Sequence, residues 1–290
     1  MLRTVRAPCA PFPEEEMRAL NIPVALLSPF AALIRHRALI RELTRREVDG
    51  RYRGASLGML WALVSPFLML CIYAIAFGTV LGGRWPEVRA TDTPFSIVLF
   101  AGMIPYFVLA ECMVRSTELV IANPSYVKRV VFPLEILPWP MIFSALFHCL
   151  MNVIVFLAMR MAMEHRFEWT VLYMPAVILP IALVGLGVAW FISSLSVYVR
   201  DLRQMMGLAS MAILFLSSVM IPLATVPQKY KAIFMLNPLS FIAEQSRAVL
   251  IWGQAPDWAG LGWHVAAALA FLYAGYAWFL STKRGFADVL

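Results

Sequence analysis

Side chains able to do chemistry are sparse in this chain, and their spacing matches no catalytic constellation. There is no Gly-Lys dipeptide, and so no glycine-rich phosphate loop ending in lysine. Neither H-E-x-x-H nor G-x-S-x-G occurs. Cys9, Cys71, Cys112 and Cys149 lack metal-ligand spacing and read as small apolar packing residues. His148 and Asn152 stand at i and i+4, where one helix face would carry both. Such a pair suits hydrogen bonds between helices better than proton transfer. Glu111 is the sole acid bordering the interior of a long apolar stretch, the place where a proton-driven carrier would keep one. It lies near one end of that stretch and reads as a helix-end residue.

These residues sit in a chain of 290, 61% hydrophobic and 14% charged, with a mean hydropathy of +0.77. Soluble domains carry about 25% charge and about 45–50% apolar residues. The composition excludes a cytosolic enzyme, a disordered chain and a secreted disulfide scaffold, and points to a polytopic membrane protein. Uncharged gaps run over 54–83, 93–110, 136–159, 169–199, 204–228 and 258–282. Each approaches or exceeds the ~20 residues a helix needs to cross ~30 Å of hydrocarbon. None alternates as a barrel strand would. The expected fold is therefore all-α, with six transmembrane helices, the second continuing past Glu111.

The segments between these gaps carry the charge. The net charge of +7 is read as basic cytoplasmic loops rather than a nucleic-acid surface. Seventeen of the 24 Lys and Arg fall on one side of the six spans, ten of them Arg residues within the first 53 residues. Arg160 and Arg247 fall among the seven on the other side. The positive-inside rule then puts both termini in the cytoplasm. Residues 19–34, short and holding Pro23 and Pro29, read as a loop at the membrane surface. Residues 30–47 read as an amphipathic helix, with Phe30, Leu33, Ile34, Ile40 and Leu43 opposite arginines, lying at the membrane interface or docked on a partner. Asn123-Pro124 predicts a short loop helix over 124–131. Residues 222–257, broken by Pro222, Pro227, Pro238 and Pro256, predict two short helices re-entering the outer membrane face between spans five and six. Gly54/Gly58 and Gly78/Gly82 have the small-x-x-x-small spacing of close helix packing. The chain divides into an N-terminal extension (1–29), a cytoplasmic interface helix (30–53) and a transmembrane domain (54–290).

Several stretches together resemble the membrane subunits of type 2 ABC exporters. Arg51-Tyr52-Arg53 and Leu57-Gly58-Met59-Leu60-Trp61 follow a basic interface helix, as in that family. Lys128-Arg129-Val130-Val131-Phe132-Pro133, Arg200-Asp201, Leu236-Asn237-Pro238-Leu239, Arg247 and Arg284-Gly285-Phe286-Ala287-Asp288 also match, in order. The likeness covers about residues 30–290 and is nearest to the O-antigen and capsular polysaccharide branch, the Wzm-type permeases. It implies a homodimer in the bacterial inner membrane, paired with two copies of a separate ATPase that binds ATP and Mg. This chain then needs no cofactor of its own. The implied substrate is a polysaccharide on undecaprenyl diphosphate.

On that resemblance, Tyr126, Lys128 and Arg129 are the expected ATPase-coupling contacts. Arg51 and Arg53 offer planar multi-donor groups suited to pyrophosphate oxygens; anchoring to ordinary lipid accounts for them equally well. Trp61, Tyr73, Phe77, Tyr106 and Phe107 are candidates for stacking on sugar C–H faces along a channel, against the alternative of lipid-facing or bundle packing. Two other functions share this topology. A lipid-linked glycosyltransferase would need catalytic acids, and the outer segments offer Glu87, Asp92, Glu164, Glu168, Glu244 and Asp257 without a paired motif. An ABC exporter of a small lipid or drug would need no aromatic path.

Overall fold

The computed structural model describes residues 24–76, 93–127 and 132–289, and all regular structure among them is helical. Helix α1 (Val24–Arg35) leads into α2 (Arg37–Tyr52) through a kink at His36. The surface loop expected over 19–34 is thus helical from Val24, and the interface element is two helices rather than one. Pro29 is the sixth residue of α1, where it forgoes one intrahelical hydrogen bond, and it is buried. The neighbouring Phe30 packs edge-on against Trp139, with ring centroids 5.8 Å apart. Ile40 and Val48 are the buried face of α2; Ile34, expected on the apolar stripe, is exposed.

Five helical stretches among the described residues are long and apolar enough to cross a membrane: Gly58–Ala76, Phe95–Ser116, Leu134–Glu164, Trp169–Tyr198 and Trp258–Gly285. They contain α3 (Trp61–Tyr73), α4 (Phe95–Ser116), α6 (Pro138–Glu164), α7 (Met174–Tyr198) and α11 (Trp258–Thr282). Helices α4 and α7 form the centre of the bundle, while α3 keeps most of its surface outside it. Where α7 meets α11, Gly187 and Gly275 face each other, and a Cβ on Gly275 would strike the Gly187 carbonyl. Glycines here permit backbone contact between two spans. Below this contact Trp190 is fully buried, edge-on to Trp139 and Tyr276, its indole N–H donating to the Glu135 carbonyl at 3.0 Å.

Between residues 204 and 228, where a further long span is expected, the structure holds α8 (Leu202–Phe215), only 14 residues. At 1.5 Å per residue it reaches about 21 Å, short of the ~30 Å core. The helix stops because its end is satisfied from elsewhere. The Ser217 hydroxyl turns back to the Leu214 carbonyl (2.6 Å). The Ser218 N–H donates to Ser240 Oγ (3.1 Å). Asn237 Nδ2 donates to the carbonyls of Ile213 (2.9 Å) and Leu216 (3.0 Å). Hydroxyl and amide side chains thereby replace the next helical turn. The expected pair of short helices follows as α9 (Gln228–Leu236) and α10 (Pro238–Leu250). Asn237 caps α10 through Leu239 N–H, with Pro238 in the first helical position.

Among the described residues, Gly54 and Gly58 meet no other helix. They have φ of +85° and +52°, with open space where a Cβ would be, and they shape the turn between α2 and α3. Gly78 and Gly82 lie outside the described residues. The loop helix starts at Pro124 as expected and is described as far as Val127 (α5). The tail closes with α12 (Phe286–Val289), Phe286 being buried against Phe279.

Candidate functional site

Two polar clusters occupy opposite ends of α4. The first joins α2 to α4 and α6. Glu111 lies five residues before the end of α4, with only 12% of its side chain exposed. Three donors converge on its carboxylate. Arg51 Nη1, from the last turn of α2, is 2.5 Å from Oε1, and Arg115 Nη1, one turn along α4, is 2.7 Å away. His148 Nδ1, on α6, is 3.0 Å from Oε2. Among the described residues, the Nε2 of His148 is buried without a hydrogen-bond partner. A proton on Nδ1, donated to Glu111, leaves no N–H at that buried Nε2; Arg51 Nη1, 3.1 Å from Nδ1, is then a second donor whose acceptor is Glu111, not the ring. Arg115 also pairs with Glu47 on α2 and donates to Ser144 Oγ at 3.3 Å. Burial pushes the Glu47 carboxyl above its ordinary range, opposed by the Arg115 guanidinium beside it. Tyr52 closes the cluster edge-on to His148.

Glu111 does lie near the end of its helix, as expected, but it is mostly buried and bonded to two other helices. The signal was present in its i, i+4 spacing from Arg115, but the partners on α2 and α6 are 60 and 37 residues away in sequence. Of the His148/Asn152 pair, His148 does bond between helices as expected, and Asn152 is buried in α6.

The second cluster centres on Arg247 of α10, which is fully buried. Its Nε donates to Val98 O (3.1 Å), Nη1 to Ser218 O (3.0 Å) and Glu244 Oε1 (2.8 Å), and Nη2 to Val219 O (2.9 Å). One planar fork thus ties the start of α4, the broken end of α8 and α10 together. Gly102 makes room, since a Cβ there would collide with the guanidinium. Val98 and Glu111 are 13 residues apart on α4, placing the two clusters about 20 Å apart along its axis. A third arginine, Arg160 at the end of α6, is also buried. It donates to the carbonyls of Leu250 and Ile251 and pairs with Glu164 (3.1 Å) and Glu168 (3.5 Å). Both arginines, counted as outer-loop charges from sequence, are structural ties.

Among the described residues, four of the acids weighed for a membrane-bound transferase are engaged in such ties or caps. Glu164 and Glu168 belong to Arg160, and Glu244 belongs to Arg247. Asp257 caps α11 through Ala259 and Gly260 N–H at 3.1 and 3.0 Å. Glu87 and Asp92 lie outside the described residues.

The remaining expected site residues are dispersed. Arg53 is exposed in the turn after α2, and Trp61 opens α3, half-buried. Tyr73 ends α3, packed against the core. Tyr106 and Phe107 are neighbours on α4 with ring centroids 5.8 Å apart, and the Tyr106 hydroxyl lies 3.3 Å from Ser210 Oγ on α8. Tyr126 stacks on Phe132 at 4.3 Å, nearly parallel. Phe77, Lys128 and Arg129 lie outside the described residues.

Residues 38–251 match the ABC-2 type transporter family, a stretch that contains all three arginine-centred ties. The chain belongs to that family. Over 258 residues this transporter chain is 24% identical to the O-antigen export system permease protein RfbA of Myxococcus xanthus, covering 88% of this chain and 96% of that protein. It is 26% identical over 204 residues to RfbA of Klebsiella pneumoniae, covering 70% and 76%. It is 25% identical over 242 residues to the polysialic acid transport protein KpsM of Escherichia coli, covering 82% and 91%.

Proposed function

We propose that this chain is the membrane-spanning subunit of an ATP-driven exporter that carries a lipid-linked polysaccharide of O-antigen type out of the cytoplasm. The observation that carries the reading is its match to a named O-antigen permease over 96% of that protein's length. KpsM, also similar over most of its length, is named for transport of another polysaccharide.

The active unit is a homodimer with two copies of a separate ATPase, which binds ATP and Mg, in the bacterial inner membrane with both termini cytoplasmic. Met205, Leu208, Met211 and Phe215 leave an exposed apolar face on α8, which supports pairing with a second copy. In that unit α8 and the turn after it complete the sixth span, and α9 and α10 dip into the outer face. The α5 region, with Tyr126, Lys128 and Arg129, docks on the ATPase beside α2. Arg51 and Arg53 guide the pyrophosphate of an undecaprenyl diphosphate carrier. Trp61, Tyr73, Phe77, Tyr106 and Phe107 line the sugar path, where flat rings let a polymer slide without rebuilding one fixed hydrogen-bond pattern.

Deletion of the gene tests this reading. Lipid-linked polymer should accumulate in the cytoplasm, with surface polymer restored by the wild-type chain. Undiminished surface polymer in the deletion strain would refute it.

A further inference from the structure

We infer that Glu111 is a resident anion that competes with the substrate's phosphate oxygens for Arg51, so that substrate loading exchanges an internal ion pair for a ligand. This rests on the role proposed for Arg51 above. Glu111 sits where three donors converge, at 2.5, 2.7 and 3.0 Å, the arrangement expected around a bound phosphoryl group. Two of those donors are spoken for within the bundle: Arg115 shares Glu111's helix and also holds Glu47, and His148 is 14% exposed. Arg51 is different. It is 46% exposed, on the last turn of α2, and followed by the exposed turn 53–57 with its positive-φ Gly54.

Arg51 can therefore swing to a headgroup phosphate beside that turn while Glu111 keeps Arg115 and His148. The Arg115–Glu47 pair keeps α2 in place during the exchange. Release of Arg51 loosens only the end of α2 that leads into the first span, which links occupancy of the site to the freedom of the interface helix. Because Arg51 is shared between two anions, the apparent affinity for the ligand is lowered by the fraction of time that Glu111 holds it.

The test is binding of undecaprenyl diphosphate, with phosphatidylglycerol as the comparison anion, to the permease–ATPase complex in nanodiscs of otherwise neutral lipid. Removing the competitor with Glu111→Gln should tighten undecaprenyl diphosphate about two- to fivefold, as expected for a half-exposed ion pair. R51A should weaken binding, and R51A/E111Q should bind no better than R51A. If R51A weakens binding and E111Q leaves it unchanged, the competition is refuted while Arg51 stays a substrate contact. If R51A itself changes nothing, the reading of Arg51 fails as well. Equal tightening of phosphatidylglycerol in E111Q would make this a general headgroup site and overturn the substrate assignment. Should E111Q not assemble, Glu111→Asp retains a charge beside Arg115 but withdraws it by one methylene. It should give a smaller tightening, and an affinity equal to wild type in that variant refutes the proposal.

Discussion

Replacing Arg247 by methionine should be among the most damaging single changes in this chain. Methionine fills much of the arginine volume and removes the guanidinium. The carbonyls of Ser218 and Val219 then lose the guanidinium donors, and that of Val98 keeps only its helical bond, in a site from which water is excluded. Glu244 loses its partner too, though it is 34% exposed and can be rehydrated. An unmade hydrogen bond to a buried group costs about 1–3 kcal/mol. Two such carbonyls, with the weakened Val98 contact, give an expected net loss of about 3–5 kcal/mol. At about 2–4 °C per kcal/mol, the apparent Tm of the detergent-solubilised protein should fall by about 10 °C. Arg247→Lys keeps the charge for Glu244 but cannot span three carbonyls with one ammonium, so it should recover less than half of the loss. Gly102→Ala pushes a Cβ into the same guanidinium and should lower Tm as well. The double variant G102A/R247M should be no worse than R247M, because the collision vanishes with the guanidinium. An R247M Tm within 2 °C of wild type, or additive losses in the double variant, would refute the reasoning.

Gly275→Leu should prevent the close approach of α11 to Gly187, cutting the yield of folded protein in membranes several-fold by fluorescence size-exclusion; an undiminished monodisperse peak would count against backbone contact there. K128E/R129E should insert normally in the membrane yet lose ATPase-driven export, measured as surface polymer; unchanged export would remove the proposed docking role. Tyr73→Ala combined with Tyr106→Ala should slow polymer export more than it lowers Tm, and full export at a reduced Tm would assign these rings to packing alone.

The long apolar gaps were legible in the sequence because hydrophobic length needs no knowledge of neighbours. Five of the six became helices long enough to span. The gap at 204–228 looked equally apolar, yet its helix ends at Phe215 because Ser217, Ser218 and side chains from α10 take over its hydrogen bonds. That outcome depends on residues more than 20 positions away. The same holds for charge. Arg160 and Arg247 count as outer-loop cations in a one-dimensional reading, and only the fold shows the backbone carbonyls that bury them. Glu111 could be seen as unusual from its position, but not as the meeting point of three helices. Arg51 was identified from its chemistry, whereas its pairing with Glu111 required the return of α4 and α6 against α2. Gly54 and Gly58 matched a packing spacing by coincidence; what decides their role is a positive φ, which sequence spacing does not encode.

Reconstitution of the chain with its partner ATPase in proteoliposomes tests the central claim most directly. Undecaprenyl-diphosphate-linked polysaccharide added on the ATPase side should reach the opposite side, protected from an added glycosidase, only when ATP is hydrolysed. Continued ATP hydrolysis with no protected polymer, while a short phospholipid is moved instead, would contradict the account.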